Sequence, residues 1–146
     1  MVKYIKGDLF ATDCEIIAHG VNCRNAFGSG VASTVSRIYP KAKSMYHEKY
    51  DEEGWRLGDV QFVLQNNDKY IANCATQDNF GYSGHCNADY PAMRVCMEKI
   101  KAFAKHKGLS IAMPKIGAGL AGGDWNIIEK ILEQTFVDYD VTVYCL

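Results

Sequence analysis

The chain has 146 residues, 48% of them hydrophobic and 23% charged, and a net charge of -1. That length suits a single domain spanning 1–146 with its own core, and the charge balance supplies no basic field for nucleic acid or an anionic membrane surface. No apolar run approaches the roughly 18 residues needed to span a bilayer, and Met1–Lys6 reads as a strand and not as a signal peptide, so a cytoplasmic protein is expected.

Six strand-like runs follow one another: Val2–Ile5, Ile16–Val21, Val60–Leu64, Tyr70–Ala75, Leu109–Met113 and Val141–Cys145. Helical patterns separate most of them. Val31, Val35 and Ile38 recur at helical spacing until Tyr39-Pro40 interrupts, and Ala42, Met45, Tyr46 and Tyr50 make a second face. The clearest helix runs from about Pro91 to His106, with Met93, Cys96, Met97, Ile100 and Ala104 on one stripe. Lys105, His106, Lys107 and Gly108 suit its C-terminus. The last helix carries Ile127, Ile128, Ile131, Leu132 and Phe136. Only Gln65–Lys69 separates the third and fourth strands, which predicts an antiparallel hairpin at a sheet edge. The other strands need crossovers and hence parallel pairing. The stretch 77–89 is the one long segment without a pattern, a candidate functional loop.

Cysteines stand at 14, 23, 74, 86, 96 and 145, and no pair is spaced C-x-x-C. A zinc ribbon or thioredoxin site is therefore not expected, and buried reduced thiols are. No ligand spacing suggests a metal, and no cofactor is implied.

The most informative feature is a repeated arrangement of strand, glycine-rich loop and helix. The first copy is Glu15–Asn22, Cys23–Phe27, then Gly28-Ser29-Gly30 and the helix from Val31. The second is Leu109–Pro114, then Lys115-Ile116-Gly117-Ala118-Gly119-Leu120-Ala121-Gly122-Gly123, then Asp124 and a helix. Two such loops at strand ends can line one crevice, where open α/β sheets bind ligands. Their backbone N–H groups and helix N-termini can hold two phosphates without lysine or arginine. The arrangement fits a nucleotide diphosphate. It is not a G-x-G-x-x-G fingerprint, because Gly28-Ser29-Gly30 continues as Val31-Ala32-Ser33.

Individual side chains have a structural and a chemical reading. Asp8, after the first strand, suits a turn or cap, or an acceptor for an exocyclic amine. Asn22 at the mouth of the first loop can bracket a ribose hydroxyl as donor and acceptor. His19, three residues earlier, points to the opposite face unless the chain is already turning; a satisfied core histidine is its commoner fate. Asp124 suits an N-cap, a role compatible with catalysis. Phe80, Tyr82 and Tyr144 are candidate stacking surfaces. His85-Cys86 are adjacent in sequence, which does not favour a catalytic dyad.

The order Gly7-Asp8-Leu9-Phe10, His19-Gly20-Val21-Asn22-Cys23, Gly28-Ser29-Gly30-Val31-Ala32 and Pro114 to Trp125 resembles a macrodomain over essentially the whole chain. More narrowly, it is similar to the short bacterial and phage macrodomains described as ADP-ribose-1''-phosphate phosphatases. The resemblance implies an α/β fold: a three-layer α/β/α sandwich around a six-stranded mixed sheet. It implies that Asp8 binds adenine, with Tyr144 on the adenine side, and that Asn22 lies by the distal ribose. Gly28, Ser29, Gly30 and Val31 would wrap that ribose and one phosphate. Gly117, Ala118, Gly119, Leu120, Ala121 and Gly122 would hold the diphosphate. Branches that cut ADP-ribose from glutamate or DNA carry a lysine where this chain has Gln77, and the glutamate-cutting branch has an aspartate at the position of Ala121. Weight shifts from a glycohydrolase to a phosphatase or a binding module. The expectation is a monomer that takes ADP-ribose or ADP-ribose 1''-phosphate and hydrolyses the 1''-phosphate without a metal. Backbone amides would stabilise charge, and Asp124 or His19 would handle the proton.

Overall fold

The computed structural model describes residues 1–79, 87–119 and 121–146. Phe80, Tyr82, His85, Cys86 and Leu120 lie outside the described residues. The elements are β1 (Val2–Lys6), a 3₁₀ turn (Leu9–Ala11), β2 (Ile16–Asn22), α1 (Val31–Ile38), α2 (Pro40–Glu52), β3 (Val60–Leu64), β4 (Tyr70–Gln77), α3 (Tyr90–Lys107), β5 (Ile111–Pro114), α4 (Trp125–Thr135) and β6 (Val141–Cys145). They form one sheet in the order β1-β6-β5-β2-β4-β3. Every pair is parallel except the edge hairpin β3–β4. No helix among the described residues is long and apolar enough to cross a membrane.

Alternation along the inner strands sorts side chains into two cores, as expected for a sheet covered on both faces. Ile16 and Ala18 of β2, with Ile111 and Met113 of β5, pack under α3 and α4. Ile17 and Val21, with Ala112, pack under α1 and α2. The result is a three-layer α/β/α sandwich. The helix signals act where the sequence places them: the Asp89 side chain accepts from Ala92 N–H to cap α3, Gly108 closes it at φ 70, and Pro40 opens α2. Two boundaries differ from the sequence reading. β5 begins at Ile111, because Leu109 N–H still bonds back to Ala104 of α3. β4 runs on to Gln77, because β2 continues to pair with it beyond an irregularity between Val21 and Asn22. The five described cysteines are unpaired, and burial pushes the thiols of Cys23 and Cys96 up to about 11 and about 12.

His19 lies inside the α1–α2 side of the molecule, fully buried. Its Nε2 is 2.6 Å from Asn73 Oδ1. Asn73 Nδ2 donates to the carbonyl of Ala42 at 3.1 Å and to Gln61 Oε1 at 3.0 Å. A carbonyl can only accept, so the Asn73 amide is oriented with Oδ1 towards the imidazole and His19 must carry its proton on Nε2. The Phe27 ring meets the imidazole edge-on at 5.4 Å. Burial pulls the His19 pKa down to about 4, so the ring is neutral at pH 7.

Asn73 therefore ties β4 to β2, to β3 and to α2. Asn73→Ala is expected to lower stability by at least about 2 kcal/mol, since it leaves buried groups unsatisfied. A lower urea midpoint at unchanged slope measures this. His19 adds a pH dependence. Its pKa is lower in the folded protein than the unfolded value of about 6.5, so the unfolded chain binds the proton more tightly. The contribution is fully present above pH ~6.5 and is lost as pH falls towards about 4. It amounts to roughly 3 kcal/mol at most, at 1.36 kcal/mol per unit. Melting curves from pH 7.5 to 4.5 should fall more steeply for the wild type than for His19→Gln. Parallel curves would refute the assignment.

Candidate functional site

β2 and β5 are neighbours, but the chain leaves them in opposite directions. From β2 it passes through α1 and α2 to the β3–β4 edge, and from β5 it passes through α4 to β6. A crevice must open between the departing loops. A cavity of about 390 Å³ lies there, within the usual range for small-molecule sites. Its floor is Gly20, Val21 and Asn22 from β2 with Pro114 from β5. One wall is Ala26 and residues 28–32, and the other is Lys115, Ile116, Gly117, Gly119 and Ala121, with Gln77 of β4 beside Asn22.

Asn22 builds the first wall. Its Oδ1 accepts from Arg24 N–H at 2.9 Å and Ala26 N–H at 3.3 Å, and its Nδ2 donates to the Ala26 carbonyl at 2.8 Å. The hydroxyl of buried Tyr46 donates to both the carbonyl and Oδ1 of Asn22, at 2.7 and 3.0 Å. The irregularity after Val21 brings this amide to the α2 side, so His19 and Asn22 face the same layer instead of opposite ones. The amide oxygen is thus occupied. One N–H remains for a ligand, and the acceptor half of the expected ribose contact is taken up by the loop. Phe27 anchors the loop from below, 5.0 Å from the Tyr46 ring.

The wall ends in an open helix terminus. Gly30 is the N-cap of α1 at φ 58, which a side chain rarely adopts, and no side chain caps this helix. α3 and α4, in contrast, are capped by Asp89 and Asp124. Among the described residues, the N–H groups of residues 28–32 have no partner, and Ser33 N–H turns back to the Gly30 carbonyl. They form a concentrated donor field at the cavity.

The second wall divides its amides by position. Ile116, Ala118, Gly122 and Gly123 N–H groups bond within the loop, to Pro114, Lys115, Gly119 and Gly117 carbonyls. Gly117, Gly119 and Ala121 N–H groups have no such partner among the described residues, and these three residues line the cavity. Gly117 also suits its backbone: at φ +80, which side chains rarely adopt, a Cβ would lie 2.5 Å from Met93 Cε, and that side-chain end would have to shift. A Cβ on Gly119 would meet nothing within 4 Å, so a side chain there has open space beside the cavity that Gly119 lines.

The cavity thus gathers Asn22, Gly28, Ser29, Gly30, Val31, Gly117, Gly119 and Ala121. Ala118 and Gly122 shape the loop without lining the cavity. Asp8 and Tyr144 lie at the same end of the sheet, beyond the cavity. Pro114 is in register with Tyr144, and Tyr144 with Ile5 of β1. The Asp8 side chain accepts from Phe10 N–H at 2.9 Å, and the Tyr144 hydroxyl donates to Thr12 Oγ1 at 2.9 Å. Asp124 is exposed and its Oδ1 accepts from Asn126 N–H at 2.9 Å as the cap of α4. His19 is not among the residues that line the cavity; it is fully buried, with Phe27 edge-on against its ring. The sequence reading overlooked Gly20, Val21, Ala26, Ala32, Pro114, Lys115 and Ile116 as lining residues. Lys115 could have been suspected from its place at the head of the second loop. Among the described residues, no three His, Cys, Asp or Glu side chains are grouped to hold a metal.

The chain is similar to known proteins over most of its length. The chain is 37% identical over 144 residues to the 17.5 kDa protein of the tk-vs intergenic region of Enterobacteria phage T4, covering 91% of this chain and 88% of that one. It is 28% identical over 177 residues to the ADP-ribose 1''-phosphate phosphatase of Debaryomyces hansenii, covering 99% and 98%. A solved structure of a Bacteroides thetaiotaomicron protein superposes with a TM-score of 0.91 at 32% identity, covering 100% of this chain and 98% of that one. The Macro domain profile matches residues 18–132, most of the sheet and both cavity walls. The chain belongs to the Macro domain family.

Proposed function

We propose that the protein binds ADP-ribose and hydrolyses the phosphate of ADP-ribose 1''-phosphate. The observation that carries this reading is that the start of α1, with no side-chain cap, and Gly117, Gly119 and Ala121, whose N–H groups have no partner among the described residues, line one cavity. Two banks of N–H donors suit a linked pair of phosphates. The near full-length similarity to a protein named ADP-ribose 1''-phosphate phosphatase supports the choice of nucleotide.

In this reading the adenine lies towards Asp8 and Tyr144, past the row Pro114–Tyr144–Ile5. The diphosphate spans the two banks, and the free N–H of Asn22 donates to the distal ribose. Water adds to phosphorus at the 1''-phosphate, the P–O bond to the sugar breaks, and ADP-ribose and inorganic phosphate leave. Charge developing on the phosphate oxygens is met by fixed backbone dipoles, which need no reorganisation. Asp124 orients the water or takes its proton, using the carboxylate oxygen that does not cap α4.

A non-catalytic binding module is the second reading, and one observation favours it: neither His19 nor Asp124 lines the cavity. De-ADP-ribosylation through an attached intermediate has less support, because the side chain beside Asn22 is the Gln77 amide, which is not a nucleophile for the anomeric carbon.

Calorimetry with ADP-ribose and phosphate release from the 1''-phosphate test the proposal together. Asp124→Ala should cut turnover by about 10²–10⁴-fold while ADP-ribose affinity stays within a few-fold of wild type. Loss of the cap alone would lower stability by only ~1 kcal/mol, and near-normal turnover would leave a binding module. Gly119→Val should weaken ADP-ribose by at least about tenfold, a loss of 1.4 kcal/mol. Its melting temperature should not change, because the new side chain projects into open space. Unchanged affinity would remove the second loop from the site.

A further inference from the structure

Most of the cavity lining is neutral. Among the described residues, Lys115 is its one charged member, and no carboxylate lines it. Arg24, which leaves the loop after β2, is already paired with Asp78 Oδ2 at 2.8 Å. Lysines 3, 49, 101 and 105 are likewise paired with carboxylates. Lys115 forms no ion pair among the described residues. Instead its Nζ lies 5.7 Å from the centroid of the Trp125 ring.

That partner matters chemically. A carboxylate would hold the ammonium and cancel its charge. An indole face holds it weakly through the ring quadrupole and leaves the full positive charge available. The indole is itself braced. Tyr4 of β1 meets it edge-on, with centroids 6.5 Å apart and planes at 77°, and the Tyr4 hydroxyl hydrogen-bonds Glu129 of the same helix, α4. The ammonium rides on a flexible four-carbon stem at the head of the loop that presents Gly117 and Gly119.

We infer that Lys115, parked on Trp125, is the counter-ion of the phosphates bound in the cavity. The inference rests on the nucleotide reading above and deepens it: part of the affinity is ionic, and salt should weaken it. A cavity of backbone amides alone would show little salt dependence.

The test compares ADP-ribose affinity by calorimetry from low to moderate salt for wild type, Lys115→Met, Lys115→Arg and Trp125→Leu. Lys115→Met keeps the length of the side chain and removes its charge. The expected result is a loss of about tenfold in affinity at low salt, a flatter salt dependence and an unchanged melting temperature. Lys115→Arg should restore both affinity and salt slope. Trp125→Leu should weaken binding by a few-fold while keeping the wild-type slope, since the charge remains but is no longer held. If Lys115→Met binds within twofold of wild type with the same slope, the inference is overturned while the nucleotide reading stands. If wild type itself does not bind ADP-ribose, both are overturned.

Discussion

β2 and β5 pair in parallel, and the strand order carries the chain away from their ends in opposite directions, α1 and α2 covering one face and α4 the other. Among the described residues, the segments that follow the two strands turn away from each other. The cavity is thus a consequence of chain order and handed crossovers, and the rest of the site is fitted around it. Each wall is a loop that must both close a strand-to-helix turn and present backbone to the gap. Both tasks require small residues and positive φ at particular points, which is why Gly30 and Gly117 stand where they do.

The two walls solve the same problem differently. The first spends side chains to free amides: Asn22 and Tyr46 hold the loop, Phe27 anchors it, and α1 is left without a cap. The second spends some of its own amides. Ala118, Gly122 and Gly123 tie the loop to itself, and the N–H groups of Gly117, Gly119 and Ala121 have no partner among the described residues. The product is a field of partial positive charge in a largely apolar recess, an arrangement suited to an anion. Among the described residues, Lys115 adds the one full charge to the cavity lining, and no carboxylate lines it.

His19 shows how a residue with chemical potential becomes architecture. It sits on the face of β2 that α1 and α2 cover, so burial lowers its pKa, and Asn73 fixes its tautomer. The same ring supports Phe27 and through it the first wall. Its contact with the first wall passes through packing, and its Nε2 proton is directed to Asn73 Oδ1.

Periodicity and punctuation determined the elements. The alternation of Ile16, Ile17 and Ala18, the stripe from Met93 to Ala104, the break at Tyr39-Pro40 and the short turn at 65–69 are local signals, decided within a few residues by backbone geometry and side-chain spacing. They were enough for six strands, four helices, the antiparallel edge and the two glycine loops. Only the tertiary structure decided which groups in those loops face a ligand. Whether an amide is free depends on where its neighbours' hydrogen bonds go, as between Gly117 and Gly119 on one side and Ala118 on the other. Asn22 lost its acceptor to Tyr46, which lies 24 residues away. Gln77 reached the cavity through strand register. Lys115 gained its partner when α4 packed beside β5. These outcomes are set by contacts between distant segments, and a one-dimensional pattern carries no distance between them.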